Sequence, residues 1–564
     1  MHVFPTLTDS HVHLLYTMIL AASSFNLCEV TAGGIVPDSM EGAEHKVREY
    51  CRSHPKQKII AANQSILSAM KEKRLPDRHE LDEWTGGRCM IIYNIDGHSS
   101  CISTALMKKL GLSCEGHDGR FSGEEHEFMQ GKVTNLIAAS VTPGVLARGI
   151  ANFSNLCARY GISRVCAMDG NEDVKNDILT RLLAFIASRM DIDIRLFPQY
   201  LDLERARPFR RLQKYPRAGG CGSWELDGSV GSHSAAFYVP FRDTGEKGHC
   251  YYEKSLILSK VKEARQKGIQ LSSHAIGEAA IDQIVDCYEQ AEKENAGQRD
   301  GAGVPLSRND HFEFPSREAV EKIKKLPVAL TVQPGFSWLD KRYLKSYEQF
   351  LPKEKAEQQI PLKELAEAGV CICGSSDSPV QSMNPYEQML GMVEFFLPQQ
   401  SLTPYQALCT YTREPARMLG EEKDSGTLEV GKKADFCVMK KDFCRAEPGE
   451  IGEFCAEYMV KDGKRYEQKK GTVWELVKML FRRKKKIYRC IFSYRHIMEE
   501  PGKDCSFVYK HLKEFIRCND FVVLTCITDR CTIQKAILFH KIHSVHNFLE
   551  YTLSTSVIVG LLIS

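Results

Sequence analysis

From residue 1 to about 420, short apolar runs alternate with longer stretches of helical periodicity. The short runs are IIYNI at 91–95, SRVCAM at 163–168, IQLSSHAI at 269–276, VALTVQP at 328–334 and VCICGSSDS at 370–378. They read as strands. DILTRLLAFIASRM at 177–190, KSLILSKVKEARQKG at 254–268 and EAAIDQIVDCYEQAEKE at 278–294 space their apolar residues as a helix with one buried face does. Strand and helix in alternation predict a parallel sheet. Over this length the pattern predicts an α/β domain, either a (β/α)8 barrel with insertions or a doubly wound sheet.

The texture changes twice after that. At 421–467, GTLEVGKKADFCVMKKDF reads as strand, glycine turn, strand, and EYMVKDGKRYE as a hairpin around Asp462-Gly463. This is a small β module. Residues 468–564 form a C-terminal extension of unassigned fold. Its helix TVWELVKMLF runs into the basic residues 482–486, which read as a solvated face. The spacing of Cys526, Cys531, His540 and His543 matches no standard zinc module.

Composition narrows the class. With 43% hydrophobic and 26% charged residues the chain is an ordinary globular protein. The 75 basic and 72 acidic residues give a net charge of +3, no argument for a nucleic-acid partner. No uncharged apolar run is long enough to span a bilayer, and the N-terminus lacks the pattern of a signal peptide. The 21 cysteines are scattered singly through apolar stretches, which reads as a reducing, cytoplasmic compartment. Self-association into a homo-oligomer stays open.

The sharpest chemical signal is Asp9-Ser10-His11-Val12-His13. In an extended strand His11 and His13 point the same way and can share a metal ion. Taken alone, a His-x-His is more often structural. Three further residues stand where a strand gives way to a loop: His274 after IQLSS, His311 in RNDHFEF and Asp377 in VCICGSSDSP. The C-terminal rim of a parallel barrel carries catalytic residues, and four histidines with one aspartate form a donor set for a divalent cation.

These segments resemble the amidohydrolase superfamily, in its family 3 or YtcJ-like branch, which includes N-substituted formamide deformylases. The matching text runs in order through DSHVHL (9–14), NIDGHSSCISTAL (94–106), GISRVCAMDG (161–170) and LDGSVGSHSAAF (226–237). It continues through SSHAIGEAAID (272–282), HFEFPSREAVEKIKKL (311–326), GSSDSPV (374–380), TREPARMLG (412–420) and SGTLEVGKKADFCVM (425–439). The resemblance implies a distorted (β/α)8 barrel over residues 1–420 with a residual β-sandwich module at 421–467. It implies a metal-dependent hydrolase that cleaves an amide- or formamide-type C–N bond of a small molecule. His11 and His13 would be ligands from strand 1, His274 and His311 from strands 5 and 6, and Asp377 from strand 8, serving also as general base. The metal would be zinc, as one or two ions. His98, in Asp96-Gly97-His98, and Gln333 would reach the substrate.

Two departures stand out. Binuclear relatives place a lysine a few residues before the Asp-Gly-Ser motif. Here Gly219–Ser229 contains none, and Glu225 or Cys221 would have to supply that ligand, or else the site holds one ion. Relatives also carry N-terminal β structure that pairs with the C-terminal strands, and here His11 arrives too early for it, leaving the 421–467 module without partners. These departures give a second reading: a catalytically impaired barrel that binds a ligand or partner.

Overall fold

Eight strands frame the molecule in the computed structural model: β1 Leu7–Val12, β2 Ile162–Asp169, β3 Asp193–Pro198, β4 Arg217–Gly219, β5 Gln270–Ala275, β6 Ser307–His311, β7 Val328–Val332 and β8 Cys371–Gly374. The structure describes residues 1–481 except 20–23, 32–33, 171, 173–176, 212, 214 and 295–306. Every pairing among the eight strands is parallel, in two ladders ordered β3-β2-β1 and β4-β5-β6-β7-β8. Among the described residues, backbone pairing joins the ladders at one seam. There Val12 bridges Ser378, and the Asp377 N–H donates to the His11 carbonyl at 2.9 Å.

No strand pairing joins β3 to β4 among the described residues, so the paired strands do not form a closed barrel. The α/β class and parallel order expected from the sequence are present, and continuous closure is not. The cause is local: β4 is three residues long, and Gly219, Gly220 and Gly222, all at positive φ, turn the chain away from extended geometry. Gly219 has no substitute, since a Cβ there would lie 1.8 Å from the Ser272 carbonyl oxygen of β5.

Helices link the strands as the periodicity predicts. Ile178–Ala187 lies between β2 and β3, Lys254–Gln266 between β4 and β5, and Glu278–Glu294 follows β5. Pro143–Tyr160 leads into β2. Thr142 caps its start by accepting the Val145 N–H, and Gly161 at φ +76° ends it. The strands are sealed by a continuous apolar core that includes Leu7, Val165, Leu196, Leu271, Leu330 and Ile372.

The run at 91–95 belongs elsewhere. It falls in Cys89–Asn94, part of a mixed five-stranded sheet with Ser24–Asn26, Ile59–Ser65, Ser99–Ile102 and Arg120–Ser122. This insertion lies between β1 and β2 and has its own apolar cluster around Val47, Ile60, Leu81, Trp84 and Met90. Local apolarity cannot separate a barrel strand from a buried strand of an insertion.

The terminal β module differs from expectation in two ways. It has a partner from the N-terminus, because His2–Pro5 pairs antiparallel with Phe436–Met439, and the sheet continues through Tyr458–Lys461 to Lys464–Arg465. Four residues are enough to make this ladder. The hairpin at Asp462-Gly463 forms, whereas GTLEV does not form a strand. In the extension, Val473–Leu480 is helical with a capping box between Thr472 and Glu475, and Arg189 Nε donates to the Leu480 carbonyl at 2.8 Å. The basic run 482–486 and the Cys526, Cys531, His540 and His543 group lie outside the described residues. Among the described residues no single helix is long and apolar enough to cross a membrane, and every cysteine is a free thiol.

Candidate metal centre

The C-terminal ends of β1, β5, β6 and β8 bring together residues far apart in the chain. Strand alternation turns His11 and the following His13 to one side. Their rings lie 5.4 Å apart, and their Nε2 atoms are 3.3 and 3.1 Å from the same oxygen, Asp377 Oδ1. The His311 ring is 5.4 Å from that of His11 and 4.3 Å from that of His274. His311 and Asp377 sit in the left-handed region at φ +73° and +57°. Such backbone costs energy in a non-glycine residue and collects at functional sites.

A supporting set of groups fixes these side chains. Asp310 Oδ2 lies 3.2 Å from His11 Nδ1 and accepts the Ser272 hydroxyl at 2.6 Å, while Arg308 Nε donates to Oδ1 at 2.7 Å. Burial alone would raise the Asp310 carboxyl, but Arg308 and His11 outweigh it and hold it below the usual range. Asp227 accepts backbone N–H groups from Ile276, Gly277 and Ala236 and faces His274 Nδ1 at 3.6 Å. Burial would lower the His274 pKa, but Asp227 and Glu225 reverse the sign and raise it. Asp9 accepts the Ser376 hydroxyl and N–H, and burial still lifts it to about 7.

His274 Nε2 and both ring nitrogens of His311 are buried without a hydrogen-bond partner. Leaving such groups unsatisfied costs about 1–3 kcal/mol each. Burial, then the neighbouring His274 and His11, pushes His311 well below its ordinary value, so it stays neutral, the form that binds metal. Unpartnered imidazole nitrogens facing a carboxylate and two more imidazoles fit a divalent cation.

The remaining candidates divide. Glu225 extends the line of β4 and bridges His274 in parallel; its Oε1 accepts the Gly222 N–H at 2.9 Å, and its carboxyl shares a hydrogen bond with that of Glu127. Cys221 Sγ lies 3.3 Å from His11 Nε2, and burial pushes its thiol well above the usual 9.0. His98 lines the cavity at the centre, but Gln333 is not among its lining residues. Gln333 donates instead to Ser375 Oγ at 2.9 Å and braces β7 against the loop after β8.

The sequence offered no signal for Glu127. It lies in helix Gly123–Ala138, where Glu124 and Glu125 make the segment look like a solvated face. In the folded chain it lines the cavity beside His98 and Glu225, with Tyr16, Tyr93 and Gln64 completing the wall. No lysine or arginine of the described residues lines this cavity.

The amidohydrolase family's sequence profile matches residues 1–466. The protein named YtcJ of Bacillus subtilis (strain 168), an amidohydrolase by name, is 21% identical over 482 residues, covering 80% of this chain and 86% of its own. The N-substituted formamide deformylase of Arthrobacter pascens is 23% identical over 501 residues, covering 83% and 88%. A crystal structure of an uncharacterized metal-dependent hydrolase from Pyrococcus horikoshii OT3 superposes with a TM-score of 0.59 at 20% identity, covering 80% of this chain and 88% of that one. That likeness concerns the fold. The profile match extends over most of the chain, through every segment that builds the centre, and the chain belongs to the amidohydrolase family, in its YtcJ-like branch.

Proposed function

We propose that this hydrolase cleaves a C–N bond of the amide or formamide type in a small molecule, with a divalent metal held by His11, His13, His274, His311 and Asp377. The observation that carries the reading is the set of unpartnered buried nitrogens on His274 and His311, facing the His11, His13 and Asp377 group. On this reading the eight parallel strands are a distorted (β/α)8 barrel, with its chemistry at the C-terminal rim. When bound, a divalent ion such as zinc supplies Lewis acidity at a carbonyl oxygen and makes water more acidic.

The protein groups then have distinct tasks. Asp377 takes the proton of the attacking water as the new C–O bond forms, then returns it to the nitrogen as the C–N bond breaks. Asp310 and Asp227 hold the His11 and His274 rings in fixed orientation. His98 faces the substrate volume from the insertion. A reducing, cytoplasmic compartment is part of the same proposal and rests on the cysteine usage.

The test combines metal analysis of the purified chain with a hydrolysis screen of N-formyl and N-acyl amines against matched esters. The expected result is bound zinc, or another divalent ion, with turnover of the amides. A metal-free protein, or turnover confined to esters, would overturn the reading.

A further inference from the structure

We propose that the substrate is a cation: a small N-acyl or N-formyl compound that carries a second amino group, held as ammonium against Glu127. This names the substrate class of the same centre and rests on the hydrolase reading above.

The charge of the cavity wall is one-sided. Four carboxyl groups line it, those of Asp96, Glu127, Glu225 and Asp377, and no lysine or arginine of the described residues does. Two of the four have other tasks. Asp377 faces His11 and His13, and Asp96 accepts the Ser229 and Ser232 hydroxyls and the His98 N–H. Glu127 shares a hydrogen bond with the Glu225 carboxyl, so the pair holds one proton and one negative charge. Its other neighbours are His98 Nδ1 at 3.8 Å and His126 Nε2 at 3.9 Å. Burial keeps both imidazoles neutral, pushing His98 well below its ordinary value and His126 to about 4. The pair therefore has no fixed cation beside it among the described residues. A charge withdrawn from water without a counter-charge is costly, and an ammonium group on the substrate supplies one. A substrate ending in carboxylate would instead meet like charge.

The rest of the wall suits the same guest. Tyr16 and Tyr93 line the cavity with their rings 6.2 Å apart. Their hydroxyls are tied down, Tyr16 to Thr134 and, at 3.5 Å, to Tyr93. Aromatic rings beside a carboxylate bind ammonium groups through the ring quadrupole. Glu127, Gln130 and Thr134 are spaced to share one face of the helix Gly123–Ala138, so the acid and the anchor of Tyr16 come from one element. His126 Nε2 donates to the Gly97 carbonyl at 2.7 Å and fixes that helix to the turn carrying His98. The His98 ring is 5.0 Å from that of His274. Glu127 thus stands one imidazole away from the metal donors, which places the ammonium a short carbon chain from the bond to be cut. Hydrolysis adds one water across that C–N bond and releases a carboxylic acid and a diamine.

The test measures kcat/KM of the metal-loaded full chain on matched amides that differ in one end group. Diaminobutane acylated on one nitrogen ends in ammonium. Acylated pentylamine ends in a methyl group of the same size, and acylated aminopentanoic acid ends in carboxylate. Each is made as the formyl and as the acetyl derivative. Wild type should prefer the ammonium over the methyl compound by about 10- to 100-fold, the worth of a hydrogen bond to a charged group, and should cleave the carboxylate compound slowest. Glu127→Gln should bring the ammonium-to-methyl ratio close to one, and Glu127→Asp should keep part of it. A ratio taken within one variant does not depend on how much of it folds or holds metal. If Glu127→Gln fails to fold, inhibition of wild type decides: butylammonium should compete with the ammonium substrate and pentanoate should not, and the reverse overturns the proposal. Wild type that cleaves the methyl or carboxylate compound as well as the ammonium compound overturns the cationic substrate and leaves the hydrolase reading intact. An unchanged ratio in folded Glu127→Gln overturns the assignment to Glu127. Cleavage of none of these amides overturns the hydrolase reading together with this one.

Discussion

Asp9 in β1 and Ser376 after β8 are joined twice: the Asp9 carboxylate accepts the Ser376 hydroxyl at 2.6 Å and its backbone N–H at 3.0 Å. The two residues are 367 positions apart and meet at the seam where Val12 bridges Ser378. The bond also sets the loop that presents Asp377, one residue further on. A carboxylate that does not line the cavity therefore positions a residue assigned to the chemistry.

Asp9→Asn replaces one accepting oxygen by an amide that cannot accept from Ser376. The expected loss is about 1–3 kcal/mol of stability, the cost of an unsatisfied buried partner. A group that orients a ligand typically costs about 10- to 100-fold in metal affinity when removed. Thermal melting and metal competition with a chelator of known affinity check both effects. Unchanged metal affinity would mean that the loop holds Asp377 without this bond.

Glu421 offers a test of the fold away from the site. Its carboxylate meets Arg195 at 2.5 Å, Arg164 at 3.3 Å and Arg217 at 3.9 Å, all largely buried. Burial would raise its pKa, but Arg164 and Arg195 outweigh burial and hold it well below the usual 4.5. A depressed carboxyl contributes stability that is present above its unfolded pKa and is lost as pH falls toward the folded one. Glu421→Gln removes the carboxylate that three guanidinium groups share, and breaking a buried pair this way costs about 3–5 kcal/mol. Melting curves should show the gap between variant and wild type at full size near pH 7 and narrowing below about pH 4.5. A gap independent of pH would assign the loss to packing.

Much of this was legible in the chain because the informative residues stand next to apolar runs. His11, His274 and His311 each lie at or near the end of a buried strand, and the parallel order then brings them to one rim. Gln333 satisfied the same rule but turned toward Ser375, because strand position does not fix side-chain direction once the strand has ended. Glu127 was not legible: its burial comes from packing between the insertion and the rim, and no local period records that. The short β4 and its glycines explain why alternating elements did not predict an interrupted ladder. The four-residue strand His2–Pro5 was missed because so short a segment carries almost no pattern.

Removal of the proposed metal should lower stability as well as activity. A ligand that binds only the folded state adds about 2.7 kcal/mol at a free concentration 100 times its dissociation constant. The melting temperature should therefore fall on chelation and recover on adding Zn²⁺ or Mn²⁺. A chelated protein that melts at the same temperature as the untreated one would show that His274 and His311 gain nothing from an ion.

Asp377→Asn tests the base directly. The substitution keeps the shape of the side chain beside His11 and His13, whose Nε2 atoms lie 3.3 and 3.1 Å from Oδ1. The four histidines remain, so metal should stay bound. What is lost is the acceptor for the proton of the attacking water. General-base steps are worth about 10²- to 10⁴-fold in rate. The variant should therefore lose kcat in that range or beyond, while metal content per chain stays close to wild type. Metal loss in parallel with activity would make Asp377 chiefly a ligand. Retained metal with near wild-type turnover would move the base elsewhere, and Glu225, facing the same cavity, is the next group to replace.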